Sequence, residues 1–451
     1  MKKEVKITII GGGSYNWCPT IIRDILKIEG IKSWDFRLLD IAPPAARRIA
    51  KLGRRMAADW NLSADFSATD NQAVALKGAD FVIITISTGG FETMGRDLKI
   101  PEKFGIYQTV GDSVGPGGWS RALRNIPVFV DLTQKIRRFA PQAFIINYTN
   151  PMSTLTRTIC LHTDQPAVGL CHALFEVYDL LMRIFGIKNE KEVRLHIAGL
   201  NHFFWLLDMK IKGRDGYKML QQRLKGKSLS SLYKSPKHSS VFHSSRKVAG
   251  ELFERFGYLP YTGDRHTCEF FSNYIVPSTR RLKEYALIRT SIAERKRLEG
   301  LHIKQVMAQI SGREKISPQR SRETAADIIA AVALGGEFVD VVNLPNHGQI
   351  LNLPQGTIVE TLGVINSLGF TPLVAGPLPQ GILPLIMPHA LNQELVVEAG
   401  LTGDWDKAFT ALANEPACAH LNRPQIEKMG TALLQANKKY LPQFFKAGKR
   451  R

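Results

Sequence analysis

Two short segments carry residue types that could do chemistry. An apolar run, Pro166-Ala-Val-Gly-Leu170, stops at Cys171-His172, and a second, Leu195 to Leu200, stops at Asn201-His202. If both runs are strands of a parallel sheet, the residues just past their ends line the ligand crevice. A thiolate and an imidazole meeting there could hold a borderline divalent metal. The same residues also fit a buried cysteine and a hydrogen-bonded core histidine. From the pair alone this second reading is preferred, because the two do not stand in a tight metal-ligand spacing.

The elements that must position them begin at the N-terminus. Val5-Lys-Ile-Thr-Ile-Ile10 reads as a buried strand, followed by Gly11-Gly-Gly-Ser-Tyr-Asn16 and an amphipathic helix to about Lys27. This is a Gly-x-Gly-x-x-Gly fingerprint with Asn16 in the third glycine position. Gly11 permits the tight turn, and Gly13 lets the backbone approach a pyrophosphate seated on the helix N-terminus beside Ser14 and Tyr15. The next strand, Asp35 to Leu39, ends in Asp40, which can accept from a ribose 2′-OH and so favours NAD over NADP; the alternative is a solvated turn residue. Asp80-Phe-Val-Ile-Ile-Thr-Ile86 is another buried strand, and Ser87-Thr-Gly-Gly90 after it suits close approach to the dinucleotide, through Ser87 and Gly89.

Asp97 to Gly105 reads as a loop or helix over the site. Gly111-Asp-Ser-Val-Gly-Pro-Gly-Gly118 has too many glycines for a regular element and is expected to clamp a ligand before a helix carrying Arg121 and Arg124. A fourth strand, Ala143 to Asn147, closes on Tyr148-Thr-Asn-Pro-Met152. Strands and helices alternate to about residue 200, which predicts an α/β, Rossmann-type doubly wound parallel sheet over 1–200. Beyond it, irregular strands and helices near 214–226, 243–256, 299–311 and 319–333 predict an α+β, helix-rich substrate lobe over 201–451.

Composition bounds the rest. With 451 residues, 44% hydrophobic and 22% charged, the chain is an ordinary globular protein large enough for two domains. Five scattered cysteines do not form a disulfide framework and fit a reducing, cytoplasmic compartment. The first strand starts so early that no signal peptide is expected. The uncharged stretch near Leu368–Pro388 holds five prolines and is no membrane helix. The net charge of +20 comes from Lys and Arg spread along the chain, densest at 210–247, 280–315 and Lys446–Arg451. No run has interleaved aromatics in a stacking pattern, so an anionic small-molecule partner or simply a basic surface fits better than nucleic acid.

Taken together, the motifs resemble glycoside hydrolase family 4, the NAD- and metal-dependent glycosidases, nearly end to end. The resemblance rests on Gly11-Gly-Gly-Ser14, Asp40, Gly111 to Gly118 with Arg121 to Pro127, Asn147-Tyr-Thr-Asn-Pro151, Cys171-His172 and Gly199-Leu-Asn-His202. It continues through Asp264-Arg-His-Thr-Cys-Glu-Phe270, Asn343 to Gly348, Leu353-Pro, Val359-Glu360, Gly376 to Pro379 and Gln393 to Ala399. The family departs from the two-carboxylate glycosidase scheme. The resemblance implies that bound NAD takes a hydride from sugar C3, a base removes the acidified C2 proton, an acid helps the C1 oxygen leave, water adds and the hydride returns. It implies a divalent metal, usually manganese, as Lewis acid on the C2 and C3 oxygens, with Cys171 and His202 as its ligands and Asp112 and Asn150 as sugar contacts, Asn150 also bordering the cofactor. This reverses the preference drawn from the pair alone. A homodimer or tetramer is implied as well.

In the family, members acting on 6-phospho-sugars carry Asp or Asn after the ligand cysteine, and members acting on unphosphorylated sugars carry His. Cys171-His172 therefore implies an unphosphorylated α-glycoside, with His172 as general acid. For the base, the resemblance points to the 260–271 region, where Asp264 is the first choice and Tyr261 the second; a loop salt bridge with Arg265 is the alternative for Asp264. His266 is expected to contact substrate or metal shell. The Asp-Arg-His-x-x-Glu-Phe pattern is more similar to the hexuronidase branch, so a hexuronide (galacturonide or glucuronide) is slightly favoured over α-galactosidase or α-glucosidase activity, and Arg265, Arg280 or Arg281 could pair with a sugar carboxylate. From a different class, an NAD-dependent dehydrogenase with net hydride transfer uses the same N-terminal half, and a non-catalytic nucleotide- or nucleic-acid-binding protein is suggested only by the charge.

Overall fold

A computed structural model of the protein describes residues 4–233 and 242–445, so the basic tail Lys446–Arg451 and part of the 210–247 run lie outside the described residues. The organising element is one twelve-stranded sheet. Its strands are β1 (Glu4–Ile10), β2 (Ser33–Leu39), β3 (Ala64–Thr69), β4 (Phe81–Ile84), β5 (Phe144–Asn147), β6 (Ala167–Gly169), β7 (Val193–Leu200), β8 (Phe203–Ile211), β9 (Arg214–Asp215), β10 (Phe338–Pro345), β11 (Ile358–Asn366) and β12 (Gly369–Pro372). Their spatial order is β3-β2-β1-β4-β5-β6-β10-β11-β7-β8-β9, with β12 paired to β11.

The first six strands are parallel in the order 3-2-1-4-5-6. That is the doubly wound arrangement expected from the alternating pattern, and its switch point lies between β1 and β4. Val5, Ile7, Ile9 and Ile10 are all buried. The run does not alternate because helices cover both faces of a parallel sheet.

The rest of the sheet is antiparallel. β10 sets Asn343 opposite Gly169 of β6, β11 sets Glu360 opposite Asn343, and β7 sets Gly199 opposite Glu360. One row, Gly169–Asn343–Glu360–Gly199, thus crosses four strands. This corrects the expectation that Leu195–Leu200 is a parallel strand: β7 turns at Asn201-His202 and returns antiparallel as β8. Both strands are buried over most of their length. An apolar run buried on both faces looks the same in sequence whichever way its neighbours point.

The glycine-rich stretch differs from its expectation in part. A 25-residue helix already starts at Gly115 and runs to Phe139, so only 111–114 is loop. Gly118 is required by close packing, since a Cβ there would lie 2.5 Å from the Ser113 carbonyl carbon. Asp97 lies in the helix Gly90–Glu102, fully buried, and pairs with Arg124 at 2.6 Å. Helices Gly216–Leu224, Lys247–Phe256, Ile292–Ile310 and Ala325–Leu334 fall near the expected spans. The helix Leu383–Thr402, carrying Pro388, packs on Gly115–Phe139 and Met152–Cys160. No helix among the described residues is long and apolar enough to cross a membrane.

Buried acids hold the turn that enters the Gly115 helix. Glu415 accepts from Gly115 N at 2.8 Å and from Asn392 Nδ2 at 3.0 Å. Burial pushes its carboxyl from 4.5 up to about 7. Between those two values the folded chain keeps a proton that the unfolded chain has lost, so stability falls as pH rises. Replacing Glu415 by Gln removes this dependence. The wild-type minus Glu415→Gln difference in unfolding free energy is expected to drop by about 3 kcal/mol from about pH 4 to about pH 8, measured by denaturant unfolding across that range. A pH-independent difference would contradict the assignment.

Candidate active site and metal centre

The dinucleotide crevice opens at the ends of β1 and β4. Gly11 has φ +90° and donates its N–H to Leu39 O. A Cβ on Gly13 would meet Asp40 Oδ2 and Ala45 Cβ at 2.9 Å, so glycine is required where the loop passes over β2. Asp40 Oδ2 accepts from Gly13 N and Oδ1 from Ala42 N, both at 2.8 Å. Each carboxylate oxygen keeps a further lone pair for a ribose hydroxyl. Ser14 Oγ accepts from Trp17 N at 3.2 Å at the start of the helix Cys18–Leu26, and the Tyr15 hydroxyl accepts from Arg48 at 3.0 Å. Ser87 is exposed and Gly89, at φ +80°, caps the helix Gly90–Glu102 on the other side of the switch point. Gly11, Gly13 and Asp40 thus lie together at the ends of β1 and β2.

The second centre forms where the parallel and antiparallel halves of the sheet meet. Cys171 follows β6, His202 sits in the β7–β8 turn, and their Sγ and Nε2 atoms are 3.2 Å apart. His202 has φ +61°, an uncommon conformation for a bulky side chain. The turn is held by Asn201, which donates to the fully buried Glu360 at 2.7 Å. Two further groups close on His202. The His266 ring lies 3.9 Å from it, centroid to centroid, and a ligand atom from each of Asp112, His202 and His266 falls within 4.8 Å of the others.

A relay fixes the proton on His202. Ser113 Oγ lies 2.9 Å from both Asp112 Oδ1 and His202 Nδ1. Burial acts to raise the Asp112 carboxyl, but His266, Arg121, His202 and the Ser113 hydroxyl outweigh it and hold it well below the usual range. Asp112 is therefore an acceptor, and Ser113 gives it its single proton. The Ser113 oxygen can then only accept from Nδ1–H, which leaves the Nε2 lone pair facing Cys171. Burial also keeps both imidazoles neutral, His202 well below 6.5 and His266 near 4. Burial and Glu360 raise the Cys171 thiol, although Asn201 and the Ala173 N–H favour its anion. A divalent cation bound by both would displace the one proton shared between Sγ and Nε2. Two buried polar atoms beside the cluster, His266 Nδ1 and Asn150 Oδ1, have no hydrogen-bond partner among the described residues. The donor set suits a borderline divalent metal.

Other expected residues fall into two groups. Tyr261 stacks near His202, ring centroids 5.8 Å apart, and donates its hydroxyl to Glu176 at 3.2 Å. Asn150 Nδ2 donates to Asp112 at 3.3 Å. His172 caps the helix Ala173–Phe185, half-exposed, with Nδ1 3.6 Å from Glu323. Three expectations are corrected. Asp264 is fully buried, and its oxygens accept from Val248 N, Ala249 N and Ser245 Oγ at the start of another helix, so its carboxylate cannot reach a substrate. Arg265 donates to the carbonyls of Ile288 and Thr109 and to Thr290, bracing the loops rather than facing a ligand. Arg280 is exposed at the start of a surface helix, and Arg281 pairs with Glu284.

Several residues of the centre went unnoticed in the sequence. Ser113 stands inside the glycine-rich motif, and Glu176 follows His172 by four positions, one helical turn, which was a usable signal. Glu323, beside His172, lies far along the chain with no pattern to mark it. Glu269 sits beneath the cluster and accepts from Val110 and Gly111 N–H groups, setting the backbone that presents Asp112.

Fold and site together define a Rossmann-type chain with a cation-ready centre beside its dinucleotide crevice. The family profile described as Family 4 glycosyl hydrolase matches residues 6–187, and its C-terminal domain matches 197–418. The chain belongs to family 4 of the glycosyl hydrolases. It is 34% identical to an α-galacturonidase of Thermoanaerobacterium saccharolyticum over 97% of both chains. The crystal structure of LplD from Bacillus subtilis, described as a glucosidase, superposes with a TM-score of 0.88 at 34% identity, covering 96% of this chain and 100% of that one. A 6-phospho-α-glucosidase from gut microorganisms, solved with NAD and Mn2+, shares the fold at 20% identity and a TM-score of 0.79, covering 98% and 100%.

The Ser113 relay is testable without turnover. Ser113→Ala frees the His202 tautomer and is expected to weaken Mn2+ binding about 10- to 100-fold, read from the free-Mn2+ resonance signal in a titration. An unchanged dissociation constant would contradict the relay.

Proposed function

We propose that the protein is an NAD- and Mn2+-dependent α-hexuronidase acting on an unphosphorylated substrate, with an α-galacturonide as the preferred glycoside. The observation that carries this reading is the Cys171–His202 contact, with histidine rather than Asp or Asn at position 172, in a chain similar over 97% of its length to an α-galacturonidase. The net charge of +20 is consistent with an anionic substrate.

Gly11, Gly13, Ser14, Tyr15, Asp40, Ser87 and Gly89 would hold NAD over residues 1–200, and 201–451 would complete the substrate site. Cys171 and His202, with Asp112 and His266 alongside, would hold the cation. When bound, NAD supplies a reversible hydride acceptor and Mn2+ a Lewis acid for the sugar oxygens at C2 and C3. The residues of the chain do the proton work. Tyr261 is the base we assign to the C2 proton, in place of Asp264. Its hydroxyl already donates to Glu176, which also accepts from Arg246 and is one-third exposed, a route by which the phenol proton reaches solvent. His172, oriented by Glu323, protonates the departing oxygen. Asn150 holds a sugar hydroxyl through its free Oδ1. The five free cysteines fit a cytoplasmic setting, and a homo-oligomer is in keeping with the exposed apolar Leu391 on the helix Leu383–Thr402 and Leu161 at the end of Met152–Cys160.

The test is hydrolysis of p-nitrophenyl α-galacturonide in deuterated water, with and without NAD and Mn2+. Activity should require both, the released sugar should carry deuterium at C2, and no NADH should accumulate. Tyr261→Phe should lower kcat by about 10²- to 10⁴-fold and abolish C2 exchange. Stoichiometric NADH formation would instead indicate a dehydrogenase, and full activity without NAD would refute the reading.

A further inference from the structure

A tryptophan stands where local structure has no use for one. Trp17 immediately precedes the helix Cys18–Leu26, at the position where Ser, Thr, Asp or Asn is favoured because its side-chain oxygen caps the free N–H groups. An indole has no acceptor for that purpose, and Trp17 makes no side-chain cap bond. Ser14 serves instead, its Oγ accepting from Trp17 N at 3.2 Å, which ties the tryptophan to the glycine-rich loop of the dinucleotide crevice. The side chain is half-buried at the edge of the core.

The indole joins two parts of the substrate site. On one side is Tyr148, ring centroids 5.7 Å apart and planes tilted by 34°, at the end of β5 two residues before Asn150. On the other is His172, at 5.9 Å and 35°. Both separations are those of packed rings. His172 Nδ1 faces Glu323 at 3.6 Å, so Nε2 is the nitrogen left for the departing oxygen. The imidazole side chain is 49% exposed and therefore opens on space that the protein does not fill. Whatever the departing oxygen carries must enter that space, beside the indole. A nitrophenyl ring can stack there as one aromatic on another, and the C–H face of a pyranose can bury apolar surface in the same way. A methyl group reaches far less of the indole.

We propose that Trp17 is the platform for the leaving group: it stacks on the ring attached to the glycosidic oxygen, a second pyranose in the natural substrate, and makes the enzyme prefer ring-bearing leaving groups to small ones. This rests on the reading of His172 as the residue that protonates the departing oxygen. It concerns the far side of the scissile bond from the hexuronide. Trp17 is a binding residue and takes no part in proton or hydride transfer.

The test compares wild-type enzyme with Trp17→Leu and Trp17→Phe, each loaded with NAD and Mn2+. Values of kcat/KM are measured on α-1,4-linked digalacturonate, p-nitrophenyl α-galacturonide and methyl α-galacturonide, and NAD affinity is measured by calorimetry. In Trp17→Leu the preference for each ring-bearing substrate over the methyl glycoside should fall about 5- to 10-fold. Trp17→Phe should recover part of it, since a smaller aromatic face remains. An equal fall on all three substrates would overturn the proposal, because Trp17 would then set His172 or the fold and not the leaving group. So would a fall matched by an equal loss of NAD affinity, which is what stacking on the cofactor predicts, and so would wild-type preferences in Trp17→Leu. If the wild-type enzyme hydrolysed neutral hexosides in place of hexuronides, the hexuronidase reading would fail, and the same ring-to-methyl comparison on those hexosides would decide the role of Trp17. With neither class hydrolysed, both would fail.

Discussion

The 3.2 Å approach of Cys171 Sγ to His202 Nε2 is the contact on which the site depends, and it exists only because two kinds of sheet join. β6 delivers Cys171 as the last strand of the parallel half. β7 delivers His202 from the antiparallel half, through a turn that needs a left-handed histidine. Two strands, β10 and β11, lie between them, and the row Gly169–Asn343–Glu360–Gly199 fixes their register. A one-residue slip anywhere in that row would turn the side chains on the slipped strand to the opposite face. The metal-ready pair is therefore a property of the whole sheet and not of either segment.

Burial then decides the chemistry. Neutral imidazoles, an ionised Asp112 and a protonated thiol are the forms in which these ligands wait, and each follows from how far the group is taken from water and which charges face it. The acids beneath, Glu269 and Glu360, serve the backbone: one holds the Gly111 turn and the other the Asn201 side chain. On the substrate side the field is positive. His266 and Arg121 are the groups whose positive forms act most strongly on Asp112, in keeping with the proposed anionic sugar.

Much of this was legible in the sequence where local pattern and chemistry coincide. The β1 run, Gly11-Gly-Gly-Ser14 and Asp40 specify a strand, a turn and a ribose contact within one supersecondary unit, so the nucleotide half could be read directly. Cys171 and His202 were legible only through resemblance, because their meeting depends on register across four strands. Asp264 illustrates the converse error. An acid beside arginine and histidine in a motif looks catalytic, yet its oxygens cap a helix whose start, Lys247, lies seventeen residues earlier in the chain. Arg265 misled in the same way, since sequence counts charges but cannot show which are already hydrogen-bonded, while Arg280 proves to be exposed on a surface helix.

The central claim is that the sheet junction builds a cation site from Cys171 and His202. Anomalous diffraction from crystals grown with Mn2+ and NAD measures this most directly. The account predicts one strong manganese peak between Cys171 Sγ and His202 Nε2, on the side of Asp112 and His266. A manganese peak elsewhere in the chain with none at this junction would contradict it.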